Sequence, residues 1–507
     1  MTRSTDEVRT AGRGVLWIAG AKIWFVVSAY AVHVALPHIL ASREAFGDFA
    51  SALNAVSIVN NVLIASTVQT VSKLVSEDEG RAAATIRRAL LLQLAVGAGL
   101  ATAGWTLAPW FAERIQLRAE LTPLLRAATV VMFCYALYAA LVGALNGRRR
   151  FVRQAGLDAT FSTLRTAGIL GGALWFADGA LGAFRGFGLA AAAITLVAIL
   201  LVGPGRAGPA PAWSRFAAVM APLWAYQLCL NGLLLADVEV LRPVVTALAL
   251  EAGHASEAAE AHASAVVGVY AAAQRFAFVP YQLLLAVTFV VFPTVSRAAA
   301  AGDAEGLRAA IRGAVRFSAI VLVLLAAPLA GAAPGVMRLV YPDEYAHGAS
   351  VLAVLAASTV GLALFVVAAT VLAGGGRAAS AARIAALALI VALLGNAGFV
   401  RLAGHDGDPG LACAAGTAIG TWLAAVCAAL AVRRAHGAYA SVRTLVRVAL
   451  AALVGFAAAR AVPEGGLLPT LGALGAGALA VALVLIVSRE LGRADFDLVC
   501  RVLGRRN

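Results

Sequence analysis

The sequence predicts an all-α, polytopic membrane protein of about fourteen transmembrane helices, and three observations predict it. Hydrophobic residues fill 62% of the 507 positions and charged residues only 13%, against about 25% charged in an average soluble domain. Apolar runs recur along the whole chain at the length that crosses a bilayer, roughly 20 residues each. Lys and Arg are concentrated in alternate connecting segments, which is the signature of membrane topology. The mean hydropathy is +0.87. A soluble fold of this length could not cover its surface with so few charges, whereas lipid can be that covering.

Taken in order, the runs bounded by charges, Gly or Pro lie at 14–41, 46–73, 86–112, 122–147, 157–177, 182–203, 215–248, 265–295, 312–334, 346–373, 379–402, 410–432, 444–462 and 467–488. With the N-terminus cytoplasmic, 28 of the 40 Lys and Arg fall on the cytoplasmic side and nine on the other, with three inside spans. Asp and Glu divide almost evenly, as expected of a Lys/Arg rule rather than a net-charge rule. Both termini are therefore expected in the cytoplasm and the protein in the cell inner membrane. The net charge of +14 reads as cytoplasmic loops facing a membrane and not as a nucleic-acid surface. The polar start, Met1 to Arg13, runs into an apolar segment too long for a signal h-region, so no cleavable signal is expected. Cys134, Cys229, Cys413 and Cys427 lie in apolar runs and Cys500 in the basic tail, with no metal-type spacing.

The chain also repeats. Gly47-Asp48-Phe49-Ala50 matches Gly268-Val269-Tyr270-Ala271 at an offset of 221, and Thr70-Val71-Ser72-Lys73 matches Thr294-Val295-Ser296-Arg297 at 224. Ile86-Arg87 and Ile311-Arg312, then Pro109 and Pro334, follow at 225. Six spans is an even number, so the two halves are expected to be parallel, related by an axis along the membrane normal. The expected organisation is an N-terminal six-helix lobe (1–203), a cytoplasmic linker (204–214), a C-terminal six-helix lobe (215–433), two additional helices (444–488) and a basic tail (489–507).

No enzyme motif survives inspection: there is no P-loop, HExxH or GxSxG. Gly374-Gly375-Gly376 reads as a helix end. Glu251, His254, Glu257, Glu260 and His262, after the seventh span, read as a solvated helical turn, although a metal site is conceivable there. The informative residues are charges within spans, because each costs about 2.5–3.5 kcal/mol at the bilayer centre and is tolerated where it faces a wet interior. These are Lys22, Arg165, Asp237, Glu239 and Arg275. The repeat pairs Asn54 with Arg275, and Asn231 and Gln274 add polarity to the same spans. Glu239 and Arg242, three apart, can pair locally. Pro37, Pro222 and Pro280 suit helices that bend.

Six plus six plus two spans resemble the multidrug/oligosaccharidyl-lipid/polysaccharide (MOP) exporter superfamily, in particular its lipid-linked oligosaccharide flippases. The residues carrying the likeness are Phe46-Gly47-Asp48-Phe49-Ala50, Val267-Gly268-Val269-Tyr270 through Pro280 to Phe292-Pro293-Thr294-Val295-Ser296-Arg297, and Asn146-Gly147 with the basic loop Arg148 to Phe151. The loop after the seventh span is longer than the family pattern. The resemblance implies two lobes around a central cavity and no catalytic activity. The implied substrate is an undecaprenyl-pyrophosphate-linked glycan, and the implied pathway partners are a glycan polymerase and glycosyltransferases. A pyrophosphate needs fixed cations, and the cavity residues so implied are Arg275, Lys22, Asn54, Asp237, Arg165, Gln274, Asn231 and Glu239. No cofactor is expected; coupling to a proton or sodium gradient stays open. Two alternatives stay open as well: a cation-coupled multidrug antiporter, which Asp237 and Glu239 would suit, and a lipid II flippase.

Overall fold

The computed structural model describes residues 24–284 except 177, residues 291 and 295, and residues 302–492. Every expected span has helix within these residues. In chain order they are α1 (Trp24–Leu40), α2 (Arg43–Glu77), α3 (Ala82–Trp110), α4 (Leu121–Gly147), α5 (Phe151–Trp175), α6 (Ala180–Val202), α7 (Trp213–Glu251) and α8 (Ser256–Ala277). Then come α9 (Ala304–Gly331), the short α10 (Ala333–Val340), α11 (Ala349–Gly374), α12 (Ala378–Ala403), α13 (Pro409–His436), α14 (Val442–Arg460) and α15 (Leu467–Val487). No strand occurs among the described residues.

Ten of these helices are long and apolar enough to cross a membrane, and the chain is a multi-pass membrane protein. The long helices α5 and α7 and the shorter α8 fall outside that ten. They carry Asp158 and Arg165, then Asp237, Glu239 and Arg242, then Glu257, Glu260 and Arg275. These charges lower their hydropathy, and Arg165, Asp237, Glu239 and Arg275 among them are the within-span charges singled out in the sequence. Local chemistry sets the helix ends. Ser42 accepts from the Ala45 N–H at the start of α2, Asp408 from Leu411 at the start of α13, and Ser441 from Thr444 at the start of α14, each a side-chain cap for an orphan donor.

The chain divides into two compact units, Met1–Gly268 and Val269–Asn507, with the boundary inside α8. In the first, α2 packs on α4 and α7, α3 on α4, and α6 on α4 and α5. At the α5–α6 crossing, a Cβ on Gly168 or Gly186 would collide with the backbone of the other helix, so the two backbones touch as small-xxx-small helices do. In the second unit α13 packs on α11 and α12, α9 on α11, and α14 and α15 on each other and on α9. The α12–α13 crossing repeats the glycine device, with Gly416 against the backbone at Gly395 and Asn396. Thus in each unit the fourth and fifth helices of the sequence repeat pack on the sixth.

Candidate functional site

The first unit buries a network of charges. Asp48 lies one turn into α2 and is only 7% exposed. Its Oδ1 meets Arg242 Nη1 of α7 at 2.9 Å and accepts from Ser264 Oγ of α8 at 2.8 Å. Its Oδ2 meets Arg118 Nη2 at 3.1 Å. Arg242 is fully buried and also donates from Nε to Ser51 Oγ at 3.0 Å and from Nη1 to Ser264 Oγ. Arg118 further pairs with Glu120 and lies 3.9 Å from Glu260.

The backbone explains why Arg118 arrives there. The α3 helix widens into a π-turn, Phe111–Ile115, and the chain then folds back, with Arg118 N–H donating to the Ala112 carbonyl and Leu117 in the left-handed region. The same loop delivers Gln116, fully buried, whose Nε2 donates to Glu239 Oε2 at 2.7 Å. Burying charge costs several kcal/mol per ion unless hydrogen bonds engage it; here Ser51 and Ser264 supply such bonds, while Arg118 Nε and Arg242 Nη2 are buried without a hydrogen-bond partner.

This corrects two sequence expectations. Arg242 pairs with Asp48, 194 positions away, rather than with Glu239 one turn back, because its guanidinium reaches α2 and α8 while Glu239 turns to Gln116. Glu260 is half-buried beside Arg118, and so is not part of a wholly solvated turn; Glu251, His254, Glu257 and His262 are exposed. Among the described residues, no three His, Cys, Asp or Glu are placed to hold a metal ion.

A second polar feature of this unit surrounds Arg165, midway along α5. Its guanidinium carbon stands 4.5 Å from the centre of the Phe25 ring and 5.9 Å from that of Phe161. Tyr135 and Tyr138 of α4 pack on Phe161, each at 5.3 Å. Two bonds tie α1 to α5 here: Trp24 Nε1 donates to Thr163 Oγ1 at 2.9 Å, and Thr166 Oγ1 to the Ser28 carbonyl at 3.0 Å. Asp158, two turns along α5, accepts from Tyr138 Oη at 3.4 Å and does not pair with Arg165. Among the described residues no carboxylate neutralises this guanidinium; aromatic faces hold it instead, by attraction between cation and ring quadrupole.

The remaining expected site residues lie as follows. Lys22 is outside the described residues. Asn54 is buried in α2 and Asp237 in α7, where Asp237 Oδ1 accepts from the Val238 N–H. Asn231, also buried, donates to the Gln227 carbonyl one turn back. These residues, with Arg165 and Glu239, belong to the first unit, whereas Gln274 (buried) and Arg275 (half-buried) belong to the second. Sequence reasoning missed Asp48, Arg118 and Gln116. In the sequence Asp48 stands in a repeated motif and in a segment that carries the family resemblance, and a carboxylate four residues after Glu44 in an otherwise apolar run is a signal in itself.

Comparisons with known proteins agree with this architecture. Residues 254–467 match the family model described as lipid II flippase MurJ. No curated protein matches the chain in sequence. Among solved structures, the chain is similar to "Lipid II flippase MurJ, inward closed conformation" (TM-score 0.73, 12% identity, covering 94% of this chain and 99% of that one). It is also similar to an inward-facing multidrug resistance MATE family transporter of the MOP superfamily (0.64, 16%, 82% and 94%). A MOP superfamily transporter from Pyrococcus furiosus follows (0.56, 16%, 83% and 95%). The chain thus has the fold of the multidrug/oligosaccharidyl-lipid/polysaccharide exporter superfamily.

Proposed function

We propose that this protein moves a polyprenyl-pyrophosphate-linked saccharide across the cytoplasmic membrane by alternating access, with both termini on the cytoplasmic side. The observation that carries this reading is Arg165. A guanidinium in mid-span, without a carboxylate partner among the described residues and held on aromatic rings, is costly in hydrocarbon. It is stable beside an anion that it can grip through its planar fork. Pyrophosphate is such an anion, and the exposed ring of Trp24, on the neighbouring helix, offers a face suited to a sugar. Arg275, with Lys22, supplies further cationic contacts in this proposal.

Of the two lipid-linked substrates, we favour the peptidoglycan precursor over a repeat-unit oligosaccharide. What supports this is the match of residues 254–467 to the family model of a lipid II flippase. The multidrug reading is favoured by one observation, the acids Asp237 and Glu239 on α7, which would serve to carry a coupling proton or sodium ion. Proteoliposomes decide among these. Purified protein is expected to flip a fluorescent lipid II, with undecaprenyl pyrophosphate competing. Cation-driven uptake of a lipophilic dye with no lipid II movement would replace this reading by the multidrug one. Movement of a repeat-unit lipid-linked oligosaccharide in preference to lipid II would assign the chain to the polysaccharide flippases.

A further inference from the structure

The sequence repeat and the packing of α2 on α8 meet at one point. A Cβ on Gly47 would collide with the carbonyl of Ser264, and a Cβ on Gly268 with the carbonyl of Arg43. Positions 43 and 264, like 47 and 268, are 221 apart, the offset of the repeat. The contact is therefore reciprocal, residue i meeting j and its repeat mate meeting i's, as at an isologous interface. A local two-fold axis passes between Gly47 and Gly268, within the first unit. The Asp48 network lies immediately beside this axis.

The two ends of the α2–α7 pair are held by opposite chemistry. At one end Val71, Leu74 and Val75 of α2 share an apolar cluster with Phe216 of α7 and with α3 and α4. At the other, Asp48 and Ser51 of α2 meet Arg242 of α7 and Ser264 of α8. Parting an apolar contact exposes hydrocarbon to water with nothing in return. Parting buried ions returns their hydration, which offsets most of the lost attraction. Opening the second end therefore costs less than its ion pairs alone suggest, even with Phe49 and Leu241 buried beside them.

We propose that the Asp48–Arg118–Arg242 cluster is a latch: during the transport cycle this end of α2 parts from α7 and α8 at the Gly47–Gly268 crossing, while the Val71–Phe216 end stays joined. This rests on the reading of the chain as a transporter. The test joins Ser51→Cys and Ser264→Cys, whose hydroxyls both bond Arg242, in a background lacking the native cysteines. A short, reducible bis-thiol reagent then cross-links the pair in proteoliposomes. Cross-linking is expected to slow lipid II flipping by about tenfold or more, with recovery on reduction. Undiminished flipping with the cross-link verified by mass spectrometry would overturn the latch.

A second arm does not depend on the substrate. Asp48→Asn removes the carboxylate that Arg118 and Arg242 share and leaves both guanidiniums without it when this end is closed. Labelling of a lone Ser264→Cys by a membrane-impermeant maleimide should then rise about tenfold or more over the same cysteine in the parent, since leaving a buried charge without its partner shifts such an equilibrium by more than that. Equal labelling in a monodisperse protein would overturn the latch. Increased labelling without any lipid II flipping would leave the latch standing and remove the substrate assignment.

Discussion

Among the described residues, each unit holds a buried carboxylate between two arginines, and the two differ in what they join. Asp48, in the first unit, lies between Arg118 and Arg242 and joins the ends of α2, α7 and α8. Glu490, in the second, lies in the turn after α15. Its Oε1 accepts from Arg316 of α9 at 2.9 Å and from Thr444 of α14 at 3.0 Å, and its Oε2 meets Arg447 of α14 at 3.1 Å. Behind it α14 and α15 cross closely, with a Cβ on Gly455 set to collide with the Val481 side chain. Ionic contacts at the end and close helix packing about two turns away both hold α14 to α15, which makes a clamp. Around Asp48 the ions stand at one end of the helix pair and the apolar cluster at the other, which makes a latch. The comparison teaches that a buried ion pair acquires its role from what is packed beside it.

The largest effect should come from breaking the first cluster one-sidedly. Arg242→Ala leaves Asp48 short of a partner in a dry site and is expected to cost about 3–5 kcal/mol, read as a drop in melting temperature by fluorescence-detected size exclusion. A loss as small as that of a surface pair would mean that water reaches Asp48 in the closed state. Glu490→Gln should cost less, about 1–2 kcal/mol, because Arg316 and Arg447 are partly exposed and regain water.

Glu490 also gives that clamp a pH dependence. Burial works to raise its carboxyl, but hydrogen bonds from Arg447, Arg316 and Thr444 together outweigh it and hold the pKa below the ordinary carboxylate value. A depressed folded pKa means stability fully present above the unfolded value and lost as pH falls through the folded one. The wild type should therefore lose stability on acidification below about pH 4 more steeply than Glu490→Gln; parallel curves would take the clamp out of the acid response. At the bottom of the scale, Arg185 and Asp178 pair at the surface with both side chains near half-exposed. Arg185→Ala should change stability by no more than about 0.5 kcal/mol, and a larger loss would remove the contrast between buried and exposed pairs.

Much of the fold was legible in the sequence because lipid imposes a simple rule: a span must be apolar and about one bilayer long. Runs such as 122–147 and 410–432 therefore fall on α4 and α13 almost to the residue. The mid-span charges were legible for the same reason, as exceptions to that rule. Their partners were not. The pairing of Arg242 with Asp48 spans 194 positions and depends on how α2 and α7 lie together, which periodicity does not encode, so the neighbour at i−3 was the only visible candidate. Arg118 was legible only as a loop cation, because its burial comes from the π-turn at Phe111–Ile115, a backbone irregularity with no composition signal. The aromatic support of Arg165 was hidden likewise: Phe25, Tyr135 and Phe161 come from three helices.

The central claim, that a mid-span guanidinium receives a lipid-linked pyrophosphate, is tested most directly by flipping of fluorescent lipid II with wild type, Arg165→Lys and Arg165→Ala at matched reconstitution and matched melting temperature. The account predicts a graded loss: Arg165→Lys, which keeps the charge but not the fork, is impaired, and Arg165→Ala falls by about 100-fold, the 2–3 kcal/mol of a lost charge-assisted hydrogen bond. Wild-type flipping by Arg165→Ala would contradict it.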